Sequence, residues 1–445
     1  MSVFSGLNIV EDIAWLYVGI PSLMLFGLYL SYKSKFLQII KLPSIFNCFS
    51  ALLYSKEKTG CSETKERGIN PLYVFFASAG GCIGIGNVIG VCAAVKIGGP
   101  GAVFWMWVAA FLGMIVKYAE IFLSVKFREN DGDRDYIGGP IFFLRKINGG
   151  KYISKIAAFL LCVYGAEVYL FRIVSYSIST HWGLNYTVVV FVLLAMILVA
   201  IQGGLRLVGR VSSILIPLFL CVFAGMSLWV FIKNISALPG VFMLIFKSAF
   251  SYHAAVGGFA GSSMWLAMSH GVRRACYTGD IGVGYAGTIH ASTSEKNPAR
   301  EAVFGVMSIV LDTLVICSIS VLLILITGTW NAGIHEEQMV IAALSQYFSY
   351  INFVWPLFIF LLGYSTLIAF FTTGRQAAQI LFSKKYGALI YTIFGSTAFI
   401  LFSFVGNEEH CLTAMSLTGV SLLIINVYGM WQLSDHITYD FEAKK

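Results

Sequence analysis

Apolar runs separated by short polar connections dominate this chain. Runs of about 20 apolar residues can cross a bilayer as helices. They fall near 12–31, 71–96, 101–125, 156–180, 186–202, 209–232, 241–270, 301–328, 351–374, 387–405 and 411–433. The pattern predicts an all-α polytopic membrane protein of about eleven spans, with long polar connections at 33–70 and 271–298. The second connection is too polar and glycine-rich to span, and is expected as a short helix and loop under the bundle.

One run departs from the pattern. Phe75–Lys96 carries Gly80, Gly81, Gly84 and Gly86, followed at once by Asn87. A glycine inside a helix costs about 1 kcal/mol relative to alanine, so the cluster argues for backbone that leaves the helix. In a bilayer, freed N–H and C=O groups are tolerated only where they line a cavity or find partners. The competing reading is close helix packing, since Gly80/Gly84 and Gly86/Gly90 have small-xxx-small spacing. A second glycine-rich interruption, AAVGGFAGSS at Ala254–Ser263, lies in the span near 241–270. Five spans follow residue 70 and five more follow residue 235, so the two halves run in opposite senses. Matched breaks at the start of each half point to the binding site of an inverted-repeat transporter. The expected division is 1–70 (an extra helix and linker), 71–235 and 236–435 (the repeats), and 436–445 (a tail).

Composition agrees with the pattern. Of 445 residues, 58% are hydrophobic and only 12% charged, about half the charge of a soluble domain. Net charge is +8, but its placement matters more than its size. All lysines and arginines except Lys96, Lys117, Arg172, Lys233 and Lys247 fall in alternate connections starting at Lys33, or in the tail. That asymmetry assigns those connections to the cytoplasm and removes any need for a nucleic-acid partner. The N-terminus lacks a basic signal region and carries Glu11 and Asp12, so it is expected outside and uncleaved, with the C-terminus cytoplasmic. The nine cysteines show neither a disulfide framework nor metal-site spacing. No HExxH, nucleophile elbow or carboxylate pair suggests an enzyme. The partners implied are lipid and a small molecule; nothing specifies an oligomeric state.

Several polar residues inside spans carry candidate chemistry. Ser365 and Thr366 stand side by side in an apolar helix. They can complete an alkali-cation site with freed carbonyls, or simply bond their own i−4 carbonyls. Charges within spans are functional candidates by default. Lys117 and Glu120, at i and i+3, are expected to pair, and Asp312 to brace a broken helix. Glu167 and Arg172 sit deeper, and can gate the site or meet a substrate's charged groups. Asp280 and Glu295 are expected in solvent or paired with Arg273, Arg274 or Arg300. The formal G-x-G-x-x-G at Gly282–Gly287 belongs to no βαβ unit and is discounted as a dinucleotide site.

These residues, taken together, resemble the alanine or glycine:cation symporters, bacterial sodium-coupled amino-acid carriers. The likeness runs from about residue 70 to 430 and rests on several stretches. GIGNVIGVCAAVKIGGPGAVFWMWVAAFLGMIVKYAEIFLSVKFRE comes first, then IGGPIFFL, QGGLRLVGR, AAVGGFAG, GDIGVGYAGTIHAS, Leu311–Thr313 and YSTLIAF, in the family's order. The resemblance implies a leucine-transporter-like fold, two inverted five-helix repeats preceded by one extra helix, in the bacterial inner membrane. It implies sodium-driven uptake of alanine or glycine by alternating access, with no cofactor beyond the coupling ion. Carried over by position, Gly84, Ile85, Gly86, Phe171, Gly257, Gly258, Phe259 and Phe370 would line the substrate site. Gly80, Ile83, Asn87, Ser365 and Thr366 would hold sodium. The chain departs from the family at Cys82 and Ile85, where threonines are usual. It also departs at Glu167, Phe171 and Arg172, where a run of amides is usual, and at Thr372–Arg375. Glu167 and Arg172 thereby keep a second expectation open: proton coupling or exchange of a different, charged amino acid.

Overall fold

The computed structural model describes residues 3–58, 67–132, 135–250, 264–405 and 408–441. Among these, eight helices are long and apolar enough to cross a membrane, and a bent pair, Pro71–Cys82 with Ile85–Gly98, makes a ninth. Two expected spans look different. Residues 186–202 form a shorter helix, Tyr186–Gln202, and 241–270 resolves into Leu238–Phe250 and Met264–Gly279 on either side of undescribed residues. Among the described residues, sheet is confined to a hairpin, Glu129–Asp131 against Asp135–Ile137, at a helix connection.

Gly101–Lys126 is the axis of the bundle. Nearly nine-tenths of its apolar window is buried, and Met264–Gly279, Pro298–Ile309 and Gly6–Lys33 pack around it. Without a hydrophobic drive between helices in lipid, such packing depends on close approach of small residues. Gly271 shows how close: a Cβ there would lie 2.2 Å from the Ala102 carbonyl oxygen. The outer helices keep Phe191, Val199, Ile214 and Trp229 exposed, the apolar sheath that a lipid-facing surface needs.

The extra N-terminal helix spans the bundle from end to end, which orients the rest. At one end Arg273 bridges Glu11 at 3.0 Å and Asp12 at 2.9 Å; at the other Lys33 meets Asp435 at 2.7 Å. Trp15 anchors the helix through its indole N–H to Ser416 Oγ at 2.9 Å. Arg273 therefore lies at the end opposite Lys33, not in a connection on the Lys33 side. The physical reason is that Met264–Gly279 is the half of a broken helix that lies on the Glu11 side. The stretch expected under the bundle is its continuation: Tyr285–His290 is wholly buried, packed on Pro71–Cys82 and Gly101–Lys126.

Because the Gly271–Ala102 approach leaves no room for a methyl, Gly271→Ala should cost about 1–3 kcal/mol by overpacking. It should lower the melting temperature of the purified protein in detergent. Gly225→Ala, with open space around its Cβ, should leave it equal or higher.

Candidate functional site

The first break follows Cys82. Gly84 is extended (φ −130°, ψ −168°), Ile85–Asn87 make one tight turn, and the helix resumes at Gly90. The fully buried Asn87 closes the break: its Oδ1 accepts the Gly84 N–H at 3.0 Å, and its Nδ2 donates to the Asp312 carboxylate. Asp312 stands in Pro298–Ile326 where that helix widens into a π-helical turn, Val310–Cys317, a distortion that recurs at functional sites. The Ile85 and Gly86 N–H groups have no partner among the described residues.

On the other side of the break stands Ile351–Leu381. Thr366 Oγ1 lies 2.9 Å from the Gly80 carbonyl and 3.0 Å from that of Leu362. A Cβ on Gly84 would fall 2.7 Å from the same hydroxyl. Ser365 turns its hydroxyl onto Leu362 O at 2.9 Å. Gly80, Gly84 and Thr366 are thus brought together, with Ile83 capping the half-helix. Asn87 is engaged elsewhere, with Asp312.

A second break falls beyond the glycine-rich run that the sequence singled out. Gly257, Gly258 and Phe259, with the rest of Ala254–Ser263, lie outside the described residues. The helix leaves its course at Gly279–Gly284, between Met264–Gly279 and Tyr285–His290. Gly282 (φ 73°) and Gly284 (φ 98°) occupy the left-handed region that glycine alone enters freely. Asp280 (φ 44°) sits in it too, which aspartate tolerates better than most residues.

Lys117 and Glu120 do not pair with each other; both serve this break. Glu120 accepts the Gly284 and Gly287 N–H groups at 3.2 and 2.7 Å. Lys117 donates to Gly279 O at 2.8 Å and to Cys82 Sγ at 3.1 Å, tying the two breaks together. Tyr285 adds a second tie, donating to Ala77 O at 3.0 Å and stacking on Phe370 with ring centres 4.1 Å apart. Asp280, expected in solvent or with an arginine, is instead buried and accepts from the Tyr164 hydroxyl at 3.0 Å. The discounted G-x-G-x-x-G marks this break. Its alternating glycines beside an acidic residue were the signal for it.

Between the breaks lies a cavity of about 190 Å³. Gly84, Ile85 and Gly86 line it from the first break, Asp280 from the second, and Glu167, Arg274 and Phe370 from neighbouring elements. Arg274 also donates to Gly86 O at 2.6 Å. Phe171 is not part of the lining; it is buried against Phe399, stacked at 4.4 Å. Arg172 points away from Glu167's cavity and donates to Phe402 O at 3.4 Å. Glu336, at the cavity's rim, pairs with Lys96 at 2.9 Å. Burial alone would raise its carboxyl, but Lys96 and its own backbone N–H hold it below the usual value.

Comparison with known proteins places this geometry in context. A model of the sodium:alanine symporter family matches residues 2–443. The chain is 30% identical to the uncharacterized transporter YflA of Bacillus subtilis, over 85% of this chain and 82% of that one. It is 28% identical to the sodium/alanine symporter AgcS of Methanococcus maripaludis, over 100% and 97%. To the probable sodium/glutamine symporter GlnT of Bacillus subtilis it is 26% identical, over 96% and 87%. Among solved structures it is similar to the manganese transporter of Eremococcus coleocola (TM-score 0.52, 13% identity, 80% and 76% covered). It is also similar to Mhp1, a nucleobase-cation-symport-1 family transporter (TM-score 0.51, 13% identity, 85% and 95% covered). At such identity the likeness concerns the fold, which is leucine-transporter-like.

Asn87 and Asp312 form one brace, so Asn87→Ala and Asp312→Ala should each destabilise the protein while the double variant costs less than their sum. The coupling should be roughly 0.5–3 kcal/mol. Thermal unfolding of the four proteins measures it, and strict additivity would show that the two side chains act apart.

Proposed function

We propose that this chain, which belongs to the sodium:alanine symporter family, carries an amino acid into bacteria across the inner membrane, driven by sodium, with both solutes bound between the two helix breaks. It is a transporter and not an enzyme. The observation that carries the sodium reading is the meeting of Thr366 Oγ1 with Gly80 O at the first break. Sodium is a hard cation that takes oxygen ligands. The Gly80 and Ile83 carbonyls with the Ser365 and Thr366 hydroxyls offer four. Thr366 Oγ1 lies within hydrogen-bond reach of the Gly80 and Leu362 carbonyls, and Ser365 Oγ of the Leu362 carbonyl; a bound cation would let both hydroxyl oxygens turn their lone pairs inward. Asn87 contributes by holding the break open in shape, through Gly84 and Asp312, rather than by touching this ion.

The amino acid binds through what all amino acids share. Its carboxylate suits the unpartnered Ile85 and Gly86 N–H groups, where a turn beginning a half-helix favours an anion. Its ammonium suits Asp280. Alanine or glycine is the baseline substrate, since both consist of little else; the named relatives include an alanine and a glutamine symporter. Sodium and substrate together satisfy the freed backbone of both breaks, which stabilises one arrangement of the two repeats (71–235 and 236–435) and lets them rock as units. The charge asymmetry supports an external N-terminus and a cytoplasmic C-terminus.

Purified protein in proteoliposomes tests this. Uptake of labelled amino acid should require an inward sodium gradient. The Ser365→Ala/Thr366→Val double variant, which removes two of the four oxygens, should raise the sodium concentration for half-maximal uptake by about tenfold or more, since each charge-assisted contact is worth at least about 1.5 kcal/mol. Uptake indifferent to sodium, or a stable double variant with unchanged sodium dependence, overturns the reading.

A further inference from the structure

The cavity between the breaks holds one carboxylate more than alanine or glycine can use. Asp280 is 1% exposed; its Oδ1 takes the Tyr164 hydroxyl, and its buried Oδ2 has no partner among the described residues. Glu167 lines the same cavity, and its carboxyl makes no hydrogen bond or ion pair with any described side chain. The nearby cations do not answer it. Lys117 donates to Gly279 O and Cys82 Sγ, and Arg274, though it lines the cavity, donates one N–H to Gly86 O and makes no ion pair with Glu167. Glu167 also holds an unfavourable backbone conformation, φ 24° and ψ 46°, at the N-terminus of Val168–Trp182. A non-glycine residue kept at positive φ is strained, and such strain clusters at ligand sites.

A simple amino acid brings one ammonium. If Asp280 takes it, the half-buried Glu167 carboxyl is left with no partner from the protein or the solute at membrane depth, which is unfavourable for a carboxyl whether charged or protonated. Space points the same way. A cavity of about 150 Å³ accommodates benzene, which has as many non-hydrogen atoms as alanine, and this one is about 190 Å³.

We propose that the cavity is shaped for an amino acid whose side chain ends in a hydrogen-bond-donating nitrogen, held by Glu167 while Asp280 holds the α-ammonium. This rests on the reading of the cavity as the substrate site and narrows it. An amide and an ammonium share the chemistry, and the panel below separates them.

The test is binding to the purified full-length protein in sodium, read as the rise in melting temperature and fitted to an affinity for each of alanine, norvaline, glutamine and ornithine. Glutamine or ornithine should bind roughly tenfold or more tightly than norvaline, whose side chain is apolar and of similar reach; this is the worth of one charge-assisted hydrogen bond. Whichever of the two wins identifies the donor as amide or ammonium. Glu167→Ala should collapse the ratio of that affinity to the alanine affinity by a similar factor. Norvaline binding as well as both nitrogen-bearing side chains overturns the proposal without needing any variant, and so does an unchanged ratio in a folded Glu167→Ala protein. Asp280→Asn separates this from the underlying reading. If it leaves every affinity unchanged, the cavity is not the substrate site and the broader reading fails. If it weakens all four together, the cavity stands and the Glu167 result alone decides.

Discussion

Backbone that leaves a helix inside a bilayer must have its N–H and C=O groups satisfied from within the protein, because lipid offers no partner. This chain breaks two helices at facing positions, and much of the polar inventory of its interior answers that constraint. Asn87 takes the Gly84 N–H and passes the strain to Asp312. Glu120 takes two N–H groups of the second break, while Asn426 and Lys117 take two of its carbonyls, those of Gly282 and Gly279. Tyr285 reaches back to the Ala77 carbonyl. Charges that would be costly alone at this depth are therefore the connectors that hold open a polar cavity. What remains unsatisfied, the Ile85 and Gly86 N–H groups and one oxygen of Asp280, faces the space where a solute would sit.

The first break was legible because glycines stand out against a long apolar run. The second was not, for a related reason. Gly279–Gly284 lies among Arg273, Arg274, Asp280 and Glu295, so hydropathy reads the whole stretch as a polar connection. Hydropathy measures exposure to lipid, and this half-helix touches little lipid; it is buried in protein, where polar residues are affordable if paired. The glycine-rich Ala254–Ser263 stands out in the sequence because, like the first break, its glycines sit in an apolar setting.

Helical spacing misled in the same way at Lys117 and Glu120. Three residues apart on one helix, they could reach each other, but the pattern holds no information about the backbone groups of another segment competing for them. Glu167 and Arg172, five residues apart and so expected on somewhat different faces, do diverge: Glu167 caps the helix that restarts at Val168 and Arg172 lies within it. By contrast, Thr366 reaches the Gly80 carbonyl across two regular helical stretches whose register fixes both residues, while its neighbour Ser365 turns to its own helix. Regular elements carry their geometry in the sequence, whereas breaks depend on partners far along the chain.

The central claim is that both breaks face a single cavity that a substrate and sodium fill. Cys82 lines that cavity at the point where Lys117 joins the breaks. The most direct measurement is the rate at which a small thiosulfonate modifies Cys82 in proteoliposomes, in a transport-competent chain that keeps it as the only cysteine. Sodium together with a transported amino acid should slow modification severalfold beyond either solute alone. An unchanged rate under conditions where the same vesicles accumulate that amino acid would contradict the account.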